Sequence, residues 1–207
     1  MTGRFITLEG GEGAGKSTQL KRLAQELRAR GHDVIETREP GGSPGAEAIR
    51  ELLLNGAEDR WTAETEALLF AAARADHVAR TIRPALERGA WVLCDRFLDS
   101  SLAYQGGAGG VGEEAVTGLH AVGSGGLLPD RTLLLQIEPH AATERTSRRD
   151  SDGADRIGAR DSSYHAQVAA AFAALAEAEP ERFRAVDASG APEEVTSRLL
   201  AALEDLL

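Results

Sequence analysis

Cysteine and lysine are nearly missing from this 207-residue chain. Cys94 is the only thiol, which excludes an internal disulfide and any cysteine-built zinc site. It falls in an apolar run and reads as an inert buried residue. Lysine occurs only at Lys16 and Lys21, so arginine supplies the rest of the 23 basic residues. Asn55 is the only asparagine, and Gly56 follows it, so no guanine-specifying N-K-x-D segment can exist. No apolar run is long enough to cross a bilayer: the most apolar windows, 68–73 and 166–176, fall short of the ~20 residues needed. The first residues lack a basic stretch leading into an apolar one, so no signal peptide is expected and the cytoplasm is the default location. A formal charge of −10 argues against a general nucleic-acid binder, and nothing suggests a membrane partner.

What is present is the patterning of a globular domain. Apolar content of 42% and charged content of 27% suit one domain with a full core, and no linker or repeat interrupts residues 1–207. Short β-branched runs at 5–8, 34–36, 91–94, 132–137 and 183–186 read as five strands. Helical spacing occupies 16–30, 46–54, 64–88, 113–122, 139–149, 163–177 and 192–206. This alternation implies an α/β domain, its five-stranded parallel sheet covered by helices on both faces. Two stretches break the order. Residues 105–112 are glycine-rich and read as a loop. Residues 148–160 are dense in charge, and read either as a solvated loop or as a mobile lid carrying arginines to phosphate.

The strongest motif is Gly10, Gly11, Glu12, Gly13, Ala14, Gly15, Lys16, Ser17 and Thr18, which fits G-x-x-x-x-G-K-[ST] between a strand and an amphipathic helix. Its glycines let successive backbone N–H groups point at phosphate oxygens. Lys16 reaches the β- and γ-phosphates of ATP, and the Ser17 hydroxyl can ligate Mg²⁺. That one of two lysines stands here makes chance a poor explanation. The loop alone names no reaction. A guanine switch lacks its base-reading segment, and a motor ATPase would need more chain. A small phosphotransferase with a second pocket fits better, with a non-catalytic nucleotide-binding module as the alternative.

The acceptor side is carried by short strings after strands two and three. They are Thr37-Arg38-Glu39-Pro40-Gly41-Gly42, then Arg50, then Phe70 and Arg74 four apart on one helix face. Asp95-Arg96-Phe97 follows, and Ser100-Ser101-Leu102-Ala103-Tyr104-Gln105-Gly106-Gly107, and a late Asp155-Arg156-Ile157. Taken singly, Phe70 reads as core, Arg74 as a surface charge and Tyr104 as a half-buried tyrosine. In this order over nearly the whole chain, they resemble the thymidylate kinase family. The resemblance implies a three-layer P-loop nucleoside monophosphate kinase fold with a lid, and phosphorylation of dTMP to dTDP by Mg·ATP. A kinase for another nucleoside monophosphate is the nearest alternative.

The family's roles carry over where residues match. Phe70 would stack on thymine, Arg74 would bond its carbonyl edge, and Gln105 would face the base. Arg50 and Arg96 would bind the acceptor phosphate, with Ser100 and Glu39 lining that side. Tyr104 would pack against the sugar near C2′, and Asp95 would stand near Mg²⁺ with Ser17. Glu12, a carboxylate inside a phosphate loop, would receive the sugar 3′-hydroxyl. Ala14 stands where some relatives carry a loop arginine, so the resemblance implies a lid arginine: Arg149 first, then Arg148, with Arg156 third. No general base is expected, because a phosphate oxygen attacks already ionised. Gly158, Gln136, Gln167 and Ala169 depart from the family's usual residues. Relatives are commonly homodimers, and the segment 67–79 could form such an interface or belong to the monomer core.

Overall fold

The computed structural model describes residues 3–57, 59–138 and 156–207. Five strands form one parallel sheet: β1 (Arg4–Glu9), β2 (Val34–Arg38), β3 (Trp91–Asp95), β4 (Arg131–Gln136) and β5 (Phe183–Asp187), in the order β2-β3-β1-β4-β5. The α/β reading therefore holds. The described helices are α1 (Lys16–Ala29), α2 (Pro44–Leu54), α3 (Ala63–His77), α4 (Arg83–Glu87), α5 (Leu98–Ser101), α6 (Glu113–Ser124), α7 (Ser162–Ala178) and α8 (Pro192–Ala201).

Strand periodicity divides the core. Ile6 and Leu8 of β1, Leu93 of β3, and Leu133 and Leu135 of β4 pack with Leu20, Leu23 and Leu27 of α1 and Leu199 of α8. Phe5, Val92, Cys94 and Leu134 face the other way, onto Val78, Phe97, Phe172 and Leu175. Burial on both faces explains why these strands read as continuous apolar runs rather than alternating ones. Cys94 is fully buried, and burial holds its thiol pKa well above the ordinary value.

Three differences from the sequence reading matter. Helix 64–88 is not uniform: α3 passes through a π-helical turn, Val78–Ile82, into α4. The stretch 105–112 is not wholly a loop, because a π-helical segment, Leu102–Ala108, runs on from α5. Its glycines accept that winding because they carry no side chain: a Cβ on Gly107 would lie 3.2 Å from that of Ala171. The last helix ends at Ala201 rather than 206. The helix expected at 139–149 lies outside the described residues, as do 148–155 of the expected lid, with Arg148 and Arg149.

The topology sets where chemistry can occur. β2, β3 and β1 are adjacent and parallel, so Arg38, Asp95 and Glu9 come together at the carboxyl ends of their strands. The chain leaves β1 for one side of the sheet and later crosses to β4 on the other. Such a reversal opens a crevice beyond the carboxyl ends of the strands.

Candidate active site

The phosphate loop begins where β1 ends. A Cβ on Gly10 (φ 134°) would lie 2.5 Å from the Leu135 carbonyl oxygen, so this turn requires glycine. α1 then starts without a side-chain cap and without an acidic residue in its first turn. Three other helices carry a side-chain cap: Ser43 accepts from the Ala46 N–H of α2, Thr62 from the Thr65 N–H of α3, and Asp161 from the Tyr164 N–H of α7. The uncapped N–H groups and the helix dipole together make an anion site. Lys16 folds back over the loop, its Nζ donating to the carbonyls of Gly10 (3.0 Å) and Gly11 (2.8 Å). Burial first, and the Arg96 charge second, lower its pKa to about 8. Ser17 Oγ donates to Asp95 Oδ2 at 2.6 Å, joining the start of α1 to the end of β3.

Arg96 joins the two halves of the site. Its Nη2 donates to Glu12 Oε1 at 2.6 Å, and its Nη1 to Ser100 Oγ at 3.0 Å and the Gly10 carbonyl at 3.1 Å. The guanidinium carbon lies 5.0 Å from the centre of the Tyr104 ring. Among the described residues Arg96 is the only non-glycine with positive φ, at 68°. A left-handed backbone costs an arginine about 1–2 kcal/mol, so this geometry is held by its contacts. Beneath it, Glu9 is fully buried and accepts from the Phe97 N–H (2.7 Å) and from Ser100 Oγ (2.6 Å). Burial, then the nearby Asp99 charge, push its pKa up to about 8.

Farther from the loop, Arg74 is 2% exposed and held from three sides. Its Nε donates to Glu39 Oε2 (2.8 Å) and its Nη2 to Ser101 Oγ (2.7 Å) and the Phe97 carbonyl (3.2 Å). Glu39 Oε1 lies 3.0 Å from His77 Nδ1, and His77 Nε2 lies 2.7 Å from Thr37 Oγ1. Arg50 donates to the Pro40 carbonyl at 2.7 Å. Gln105 Nε2 donates to Glu66 Oε1 at 3.0 Å.

One cavity of about 550 Å³ gathers these groups. Glu12, Gly13, Gly15, Lys16, Ser17, Thr18, Asp95 and Arg96 line its loop end. Glu39, Arg50, Phe70, Arg74, Ser100, Tyr104 and Gln105 line the other. Gly10, Gly11 and Ala14 build the loop without lining the cavity. Arg156, considered as a lid arginine, is buried: it pairs with Glu66 and donates from Nε to the Leu53 carbonyl at 2.9 Å. Glu12, expected to meet a sugar hydroxyl, is bonded to Arg96.

The sequence reading passed over Glu9, Glu66 and His77. The one signal for Glu9 was a carboxylate directly after the strand run 5–8 and directly before the phosphate loop. Glu66 and His77 had no local signal at all. Among the described residues no group of three or more His, Cys, Asp or Glu is arranged to hold a metal ion. An oxygen pair such as Ser17 and Asp95 suits a hard cation that keeps waters and takes its other ligands from substrate phosphates.

A family model described as thymidylate kinase matches residues 8–199. A thymidylate kinase of Rhizorhabdus wittichii is 65% identical over 207 residues, covering 100% of both chains. One from Caulobacter vibrioides is 50% identical over 197 residues, covering 95% of this chain and 94% of its own. The crystal structure of thymidylate kinase from Ehrlichia chaffeensis superposes with a TM-score of 0.77 at 28% identity, over 98% of this chain and 99% of that one.

Proposed function

The chain belongs to the thymidylate kinase family and phosphorylates dTMP to dTDP with ATP as donor, and we propose how its residues divide that reaction. The carrying observation is the single cavity with the phosphate loop at one end, Phe70, Arg74 and Gln105 at the other, and Arg96 bonded to Glu12 between them.

At the donor end, the N–H groups of the loop and of the start of α1 bind the ATP phosphates. Lys16 leaves the Gly10 and Gly11 carbonyls for the β- and γ-phosphates. Phosphate oxygens beside the ammonium favour its charged form, reversing the lowering to about 8. Ser17 and Asp95 would hold Mg²⁺, which would supply charge neutralisation at the donor phosphates. At the acceptor end, Phe70 stacks on the thymine, while Arg74 and Gln105 meet its polar edge. Tyr104 closes the space at C2′, and Glu12 receives the 3′-hydroxyl. Arg96 and Arg50 bind the acceptor phosphate, with Ser100 steadying Arg96 and Glu39 steadying Arg74. Arg149 or Arg148 adds positive charge from the lid.

Two anions must be brought together, so neutralisation and alignment are the protein's main work. No side chain needs to remove a proton, because the attacking phosphate oxygen is ionised. We further read residues 1–207 as one kinase domain acting as a cytoplasmic homodimer. Among the described residues no helix is long and apolar enough to cross a membrane. Exposed Leu68 on α3 and Val122 on α6 support an interface on that side, where the two helices pack closely at Gly123 and Ala75.

The test is ADP formation from Mg·ATP with dTMP, dUMP, UMP, dCMP, AMP and GMP offered separately. Strong turnover with dTMP, weak with dUMP and little with UMP supports both the base pocket and the sugar gate. A better acceptor than dTMP overturns the thymine assignment. No acceptor-dependent ADP overturns the kinase reading.

A further inference from the structure

Gln105 is 3% exposed and lines the cavity, yet a carboxamide does not by itself determine which of its ends reads a ligand. Its partner here decides. Nε2 donates to Glu66 Oε1 at 3.0 Å, and a carboxylate only accepts, so the NH₂ end must face Glu66. Among the described residues Gln105 Oε1 has no hydrogen-bond partner, which leaves it for whatever enters the cavity.

Glu66 is itself held firmly. It sits in α3 at 2% exposure, and its Oε2 receives the guanidinium of Arg156 and, at 2.8 Å, Nη2 of Arg160. Arg156 is anchored to the Leu53 carbonyl, and the Arg160 guanidinium lies 4.4 Å from the Tyr164 ring centre. Tyr164 in turn donates to the Tyr104 carbonyl at 2.9 Å, closing the network onto the segment that carries Gln105. A buried carboxylate paired with two guanidiniums has little freedom to turn.

We infer that Glu66 is a positioning residue for base choice: it holds the Gln105 amide with its oxygen toward the pocket, selecting a pyrimidine that carries hydrogen on N3. Thymine and uracil donate from N3. Cytosine presents a lone pair there, which an amide oxygen repels. Were the amide reversed, its NH₂ would suit cytosine instead. Base selectivity is thus set by a residue that touches no part of the base. The inference rests on the dTMP reading and deepens it.

The experiment compares kcat/KM for dTMP and dCMP at saturating Mg·ATP, in the wild type, Glu66→Gln, Gln105→Met and the double variant. Glutamine at 66 can donate as well as accept, so it no longer dictates the direction of Gln105. The expected result is a dTMP-to-dCMP ratio lowered on the order of tenfold in each single variant. KM for ATP stays constant. The double variant falls no lower than Gln105→Met, because one residue acts through the other. Should Glu66→Gln fail to fold, Glu66→Asp keeps the charge for both arginines while withdrawing from Gln105, and lowers the ratio too. A ratio unchanged at position 66, or additive losses in the double variant, overturns the inference while leaving the kinase reading intact. A wild type that makes no ADP with dTMP overturns both.

Discussion

Replacing Glu9 by glutamine should change how stability responds to pH. Glu9 is fully buried, and burial with the Asp99 charge raises its pKa from 4.5 to about 8. The native state therefore keeps a proton that the unfolded chain releases. Stability from this group is complete below pH 4.5 and is lost as pH rises towards 8. The slope inside that window approaches −1.4 kcal/mol per pH unit, or on the order of 3 kcal/mol between about pH 5 and pH 8. Glutamine is nearly isosteric and does not titrate, and its oxygen can still accept from the Phe97 N–H. Urea unfolding of both proteins across this range, each pH compared pairwise, cancels groups common to the two. The variant should gain relative stability as pH rises, reaching a few kcal/mol. A difference that stays flat from pH 5 to 8 would refute the account of a protonated buried carboxylate.

Phe70→Ala should raise KM for dTMP by about 5- to 100-fold through lost stacking, with KM for ATP unchanged in steady-state assays. Loss of ATP affinity instead would mean that Phe70 supports the fold rather than the base. Arg96→Gly should relieve the left-handed backbone at φ 68° while removing contacts to Glu12, Ser100 and Gly10. Melting is expected to change by about 1 kcal/mol or less while turnover falls at least ~100-fold; retained turnover would remove Arg96 from the reaction.

The sheet and phosphate loop were legible because their causes are local. Continuous runs such as 91–94 mark strands buried on both faces, and Gly10 to Ser17 states its own backbone geometry. Phe70 and Arg74 were legible together because four residues make one helix turn. The π-helical winding at Leu102–Ala108 was not, since glycines at 106, 107 and 109 suggest a loop unless Ala171 and the Tyr104 carbonyl are known to press against them. Glycines, having no side chain, permit either outcome, and only tertiary packing selects one.

The carboxylates divide along the same line, and they matter most for how the site works. Four arginines in and around the acceptor pocket are matched to acids brought from elsewhere: Arg96 to Glu12, Arg74 to Glu39, Arg156 and Arg160 to Glu66. The partners lie 35 to 94 residues apart, so no window of sequence contains both. Paired charges taken out of water are a poor source of stability, because desolvation offsets most of their attraction. What they supply is direction. A guanidinium fixed by a carboxylate on one edge presents its remaining edge at a set angle, and an amide fixed by Glu66 presents oxygen rather than nitrogen. A chain of net charge −10 can therefore bind two phosphate-bearing substrates: Lys16, Arg50, Arg74 and Arg96 gather their charge in the one cavity, where Glu12 and Glu39 set the direction of Arg96 and Arg74.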